Sequence, residues 1–211
     1  MKKAIQFGLI LFLVNVSFSQ SIEQKNNISI GGGKGAYKGD LGNSWFQPDE
    51  EWYGYFALHY NRYINKSFDF GSSLTFGDYG RCREEGDLRY RPDGTEILNM
   101  LSRLTSLVVC GKYKFANGYL MKENSKFEPY IYAGAGINNI SEYWWEDKKR
   151  AIEGNYASLN GGFGVRYNFA KRFNFTYNLG LGYFSSDKID DRVQGDNDMF
   201  MQQSILLGMN F

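Results

Sequence analysis

The chain has 211 residues, 24 of them basic and 23 acidic, giving a formal net charge of +1 and a mean hydropathy of -0.46. So even a balance excludes the clustered positive charge that nucleic acids and anionic membrane surfaces demand. The polar average excludes a polytopic helical membrane protein, whose spans each need about 20 consecutive apolar residues. Against that average stand 16 Tyr, 17 Phe and 25 Gly with only 3 Pro, a load foreign to most cytosolic enzymes.

At the N-terminus Lys2 and Lys3 precede the apolar run from Phe7 to Val14, and Ser17-Phe18-Ser19 follows with small residues where signal peptidase reads. Residues 1–19 therefore read as a secretory signal with cleavage before Gln20. The run is too short to span a bilayer, and no Cys follows it to carry a lipid anchor. Loss of Lys2 and Lys3 leaves a mature charge of -1, and residues 20–211 read as one domain.

Along that domain the informative pattern is period-2 alternation, because a barrel wall in lipid puts apolar side chains outward and polar or small ones inward. Residues 27–38 give a first strand whose glycines and Lys34 blur the two faces. Residues 53–63 set Phe56, Leu58 and Tyr60 opposite Tyr55, His59 and Asn61. Residues 68–77 set Phe68, Phe70, Leu74 and Phe76 opposite Asp69, Gly71, Ser73 and Thr75. Residues 105–115 set Leu107, Val109 and Tyr113 opposite Ser106, Cys110, Lys112 and Lys114.

The second half alternates as well. Residues 127–139 set Ile131, Ala133 and Ile137 opposite Tyr130, Tyr132, Gly134, Gly136 and Asn138. Residues 156–169 set Leu159, Phe163, Val165 and Tyr167 opposite Ser158, Asn160, Gly162, Gly164 and Arg166. Residues 173–184 are the cleanest, with Phe173, Phe175, Tyr177, Leu179, Leu181 and Tyr183 on one face and Asn174, Thr176, Asn178, Gly180 and Gly182 on the other. The last strand, 201–211, ends on the aromatic Phe211, which resembles the C-terminal signal read during outer-membrane barrel assembly.

Connection length supplies a second signal. Short turns fall at Asn65-Lys66 and Ala170-Lys171-Arg172, with a medium one at 116–126, and longer loops at 39–51, 79–103, 141–155 and 186–197. Outer-membrane barrels combine an even strand number with short periplasmic turns and long outer loops. The prediction is an all-β, eight-stranded antiparallel transmembrane β-barrel with both termini in the periplasm. The rival is a soluble barrel of the lipocalin kind, apolar within and polar without. It would bury Asp69, Lys112, Lys114 and Arg166 in a dry interior, at several kcal/mol for each unpaired charge.

Three segments carry a family resemblance: Tyr37-Lys38-Gly39-Asp40-Leu41, Glu128-Pro129-Tyr130-Ile131-Tyr132-Ala133-Gly134-Ala135-Gly136, and Ser186-Asp187-Lys188-Ile189-Asp190-Asp191. Together they resemble a family of small outer-membrane barrels of Bacteroidota, OmpA-like without the periplasmic domain. That family includes PorG, associated with the periplasmic ring of the type IX secretion system. The resemblance implies the outer membrane as location. It implies as partners outer-membrane lipids and lipopolysaccharide, the barrel assembly machinery and other envelope proteins, with secretion-ring subunits as the specific expectation.

Candidate chemistry is sparse. Eight-stranded barrels that modify lipid A need a Ser with a His base in reach. His59 is the only histidine, and the spacing of Ser73 and Ser106 suggests no triad. The reading is non-enzymatic, with no catalytic, cofactor or metal residues assigned. Asp69, Lys112, Lys114, Arg166 and His59 are expected to form a lumen network, Asp69 pairing with Arg166 or Lys112, because an eight-stranded barrel is about wide enough for side chains to fill. Inward glycines at 134, 136, 162, 164, 180 and 182 read either as a groove or as relief of crowding by large neighbours.

Trp144 and Trp145 in the third outer loop, and Tyr119 and Leu120 in the 116–126 turn, are candidate partner contacts, since aromatics anchor interfaces. The acidic stretch Asp187, Asp190, Asp191, Asp196 and Asp198 lacks calcium-loop spacing. Cys82 and Cys110 are expected to stay free, because roughly 30 Å of strand separates them at about 3.3 Å per residue.

Overall fold

The computed structural model describes residues 25–38, 53–81, 100–123, 125–145, 154–186 and 198–211. The strands are β1 Asn26–Lys38, β2 Tyr53–Tyr63, β3 Phe68–Arg81, β4 Met100–Lys114, β5 Phe127–Trp145, β6 Gly154–Asn168, β7 Phe173–Phe184 and β8 Met199–Asn210. Each pairs antiparallel with its neighbours in chain order, and β1 pairs β8 to close an eight-stranded barrel. Closure leaves no edge strand, so each strand of the wall has a hydrogen-bonding neighbour on both sides.

Side-chain parity follows the register. Phe56, Phe70, Leu74, Leu107, Ile131, Ile137, Leu159, Phe163, Phe175, Leu181, Ile205 and Leu207 all point outward and are exposed. Their inward neighbours Asn27, Ser29, Asn61, Asp69, Thr75, Lys112, Asn138, Ser158, Asn174 and Asn178 are buried. An apolar exterior around a polar interior inverts the soluble barrel and suits a wall solvated by lipid. The register also settles β1: Asn27, Ser29, Gly31 and Gly33 share the inward face, while Ile28, Ile30 and Lys34 face out opposite Tyr60, Leu58 and Gly54.

Around the end that carries the short turns, outward aromatics form a girdle. Phe68 and Tyr113 meet edge to face at 5.3 Å, Phe127 and Tyr167 lie 4.8 Å apart, and Phe169 and Phe175 lie 4.9 Å apart. Such belts mark the boundary between hydrocarbon and headgroups.

The opposite end departs from the sequence expectation. β3 and β4 run on to Arg81 and Met100, and β5 extends to Trp145, so the connections expected at 79–103 and 141–155 are partly strand. Trp144 and Trp145 are strand residues, opposite Leu101 and Met100, beyond a register shift at Ser102 and Arg103. Beyond the apolar band a strand no longer needs outward apolar residues, and alternation fades although pairing continues. The signal segment 1–19, Cys82 and Asp187, Asp190, Asp191 and Asp196 lie outside the described residues.

Candidate functional site: the filled lumen and the short-turn end

On the β7–β8–β1–β2 side, next to the short turns, an amide belt crosses the barrel seam. Asn27 Nδ2 donates to Asn210 Oδ1 at 2.7 Å, and Asn174 Nδ2 donates to the same oxygen at 3.2 Å. Asn27 Oδ1 in turn accepts from Ser29 Oγ at 2.7 Å and from Asn61 Nδ2 at 3.2 Å. The belt thus gives Asn27 partners from strands far away in sequence, Asn210 on β8 and Asn61 on β2, which offsets part of the desolvation that burial imposes.

The facing wall carries the charges. Lys114 Nζ meets Asp69 Oδ1 at 2.6 Å, with the Asp69 side chain buried and that of Lys114 12% exposed, and the same ammonium lies 4.3 Å from the Tyr63 ring centroid. Arg166 Nη1 reaches Glu128 Oε2 at 3.5 Å. Lys112 stands between two rings, 4.9 Å from the Tyr130 centroid and 6.0 Å from that of Tyr132. All five expected lumen residues therefore line one interior, but the pairing differs from expectation. Asp69 takes Lys114, not Arg166 or Lys112, because register sets Asp69 beside Lys112 on β4 and the next inward side chain, Lys114, reaches back to it. Glu128, the partner of Arg166, was not singled out, although its parity with Tyr130 and Tyr132 marks it as inward.

Half of the glycine cluster is explained by these rings, whereas a Cβ on Gly134 or Gly162 would strike the backbone of the neighbouring strand. A Cβ on Gly164 would collide with the Tyr130 hydroxyl, and one on Gly180 with that of Tyr132. At Gly182 it would strike the Phe200 ring. Absent side chains on β6 and β7 make room for large ones on β5 and β8, so the space reads as packing and not as a groove. Tyr130 also hydrogen-bonds Asn178 Oδ1. Toward the long connections, Phe184 and Phe200 turn inward with centroids 4.9 Å apart. Leu104 and Ile140 are buried register partners on the same side of the wall. These inward apolar residues went unnoticed in the sequence because each ends or precedes a run of polar inward positions.

His59 lies opposite Ser73 and lines a cavity of about 40 Å³ together with Lys112, Tyr132 and Gln202. Among the described residues, no serine or carboxylate hydrogen-bonds His59, and no three His, Cys, Asp or Glu side chains converge on a metal-sized site. Cys110 is a buried free thiol.

Outside the wall, the 115–126 turn is built with more order than its length requires. Asn117 Oδ1 accepts from the backbone N–H groups of Tyr119 and Leu120 at 3.0 and 3.1 Å, and Gly118 takes the left-handed conformation at φ 84° that a non-glycine residue would resist. Lys66 in the neighbouring turn binds Glu123 at 3.0 Å. That hydrogen bond, followed by the charge of the carboxylate, holds the Lys66 ammonium above the usual lysine range. The tied turns present Tyr119 at 84% exposure, Leu120 at 61% and Ile64 at 57%.

No family model and no curated protein sequence matches the chain. Among solved structures it is similar to Neisserial surface protein A, with 13% identity, 88% of this chain and 97% of that one covered, and a TM-score of 0.58. It is similar also to OprG from Pseudomonas aeruginosa, at 12% identity, coverage of 89% and 96%, and a TM-score of 0.53. A third likeness is to Ail, the attachment invasion locus protein of Yersinia pestis, in complex with the heparin analogue sucrose octasulfate, at 18% identity, coverage of 89% and 98%, and a TM-score of 0.51. At such identities the likeness is one of fold, and the fold is that of the small eight-stranded outer-membrane barrels.

Proposed function

We propose that this chain resides in a bacterial outer membrane, short turns and termini toward the periplasm, and acts without chemistry of its own as a structural or adaptor component of an envelope complex. The type IX protein secretion system is the specific machine; that choice rests on the resemblance to the PorG-containing family. The observation that carries the adaptor role is the ordered short-turn end, where Tyr119, Leu120 and Ile64 stay exposed while Lys66 and Glu123 tie their turns together. Exposed aromatic and aliphatic side chains on a rigid base lose little entropy on docking. A lumen filled by ion pairs, rings and amides leaves the ends of the barrel for contact, Trp144 and Trp145 on β5 being candidates at the other end.

Extraction of the tagged chain in mild detergent, followed by identification of what co-purifies, tests this. The wild type should bring envelope subunits, secretion-ring proteins among them. Tyr119→Ser with Leu120→Ser should lose them while keeping the heat-modifiable mobility of a folded barrel. Recovery of the wild type alone would overturn the adaptor role in favour of a stand-alone surface barrel of the OmpX kind. Altered lipid A in a strain lacking the chain would instead point to a lipid A-modifying enzyme.

A further inference from the structure

The charged layer on β3 to β6 does not balance. Its inward carboxylates are Asp69 and Glu128, and its inward cations are Lys112, Lys114 and Arg166. Asp198, the other buried acid among the described residues, sits at the far end of the lumen, where its backbone carbonyl accepts from Phe184. Lys114 takes Asp69 and Arg166 takes Glu128, which leaves Lys112 over. Lys112 is 6% exposed, and among the described residues no carboxylate lies within 4.0 Å of it. The Tyr130 and Tyr132 rings favour a cation through their faces but carry no net charge, and a buried charge without a counter-charge is strongly disfavoured.

A second observation stands beside the first. Lys112 lines the cavity of about 40 Å³ with His59, Ser73, Thr75, Tyr132 and Asn178. Two of these carry buried polar atoms with no hydrogen-bond partner, Thr75 Oγ1 and Asn178 Nδ2, and Ser106 Oγ, opposite Thr75, has none either. The amide nitrogen can only donate, and the hydroxyls can donate. One water needs roughly 10–15 Å³ in such a space, so the cavity has room for a monatomic ion with one or two waters.

We propose that the lumen holds a small monovalent anion of the halide class in this cavity, beside the Lys112 ammonium and facing the unpartnered donors of Thr75 and Asn178. The ion supplies the missing negative charge of the layer and accepts the orphaned hydrogen bonds.

The test uses the full chain folded in detergent, with bromide as the probe. The midpoint of thermal unfolding, read by heat-modifiable mobility, is followed against sodium bromide, with sodium gluconate holding ionic strength constant. The wild type should show a saturable upward shift, Lys112→Arg should keep it, and Lys112→Met should lose it. Crystals grown in bromide should give an anomalous peak in the cavity beside Lys112. Equal midpoints in the two salts, an unchanged bromide response in Lys112→Met, or a cavity without anomalous signal would overturn the proposal. If Lys112→Met does not fold, the wild-type anomalous map decides alone. None of these readouts depends on which envelope proteins the barrel meets.

Discussion

Asp69 and Lys114 show at the level of single side chains why the interior is unforgiving. Asp69 is buried, Lys114 keeps only a small exposed fraction, and their contact is 2.6 Å. Asp69→Asn leaves the ammonium, among the described residues, with the Tyr63 ring alone, and removal of one partner of a buried pair costs up to about 3–5 kcal/mol. Urea unfolding in lipid vesicles should register a loss of that size, and Asp69→Asn combined with Lys114→Met should recover a good part of it. Equal stability of wild type and Asp69→Asn would mean that the pair is hydrated and its geometry incidental. That Asp69 and Lys114 face inward was legible in the alternation of 68–77 and 105–115. Which cation Asp69 takes was not, because the choice depends on cross-strand register and on how far Lys114 reaches back, and neither is written in a single strand.

Among the elements, the strands and the turns were legible to different degrees. β7 alternates without a break from Phe173 to Phe184, and lipid contact enforces that pattern. The far ends of β3, β4 and β5 stand past the apolar band, where sequence is released from alternation, so Trp144 and Trp145 read as loop. The 115–126 turn was visible only as a medium connection, since its order comes from the Asn117 side chain, the φ of Gly118 and the Lys66–Glu123 contact with another turn.

That contact makes a prediction about pH. Glu123 raises the Lys66 pKa, so the tie contributes fully below the ordinary lysine pKa and is lost as pH rises through the higher folded-state value. Amide exchange in the 115–126 turn should therefore be as slow at pH 8 as at pH 6 after correction for intrinsic rate, and should quicken only in strongly alkaline buffer. Glu123→Gln should bring on the faster exchange at neutral pH. A turn equally ordered in Glu123→Gln would show that Asn117 alone holds it.

Taken as a whole, the molecule keeps its exterior apolar with few exceptions, and Lys34 is the plainest. It is exposed on the outward face of β1, between Gly54 of β2 and Gln203 of β8. Gln203 Oε1 accepts from the Tyr177 hydroxyl at 3.2 Å. A lysine on the lipid face costs about 2–4 kcal/mol at the bilayer midplane and about 0–1 near the interface. Lys34→Leu should therefore stabilise the barrel in vesicles by about 1 kcal/mol in urea titrations. A loss of stability would instead mean that lipid or protein supplies Lys34 with a counter-charge.

Closure of the cylinder also has a bearing on time. The amide belt joins Asn27 to Asn210 across 183 residues, and the backbones of Asn26 and Phe211 exchange hydrogen bonds at 2.9 and 2.8 Å. Every other strand pairing can form between neighbours in the chain, but the β1–β8 pairing must wait for both ends of the domain. Bringing such distant segments together costs loop entropy before any contact repays it, which makes non-local pairing slow. Until then β1 and β8 are two open edges in a half-made sheet, each able to recruit a strand from another chain. The interval between the arrival of β8 and its meeting with β1 is thus the most hazardous in the history of the molecule, and the one in which a folding catalyst would gain most.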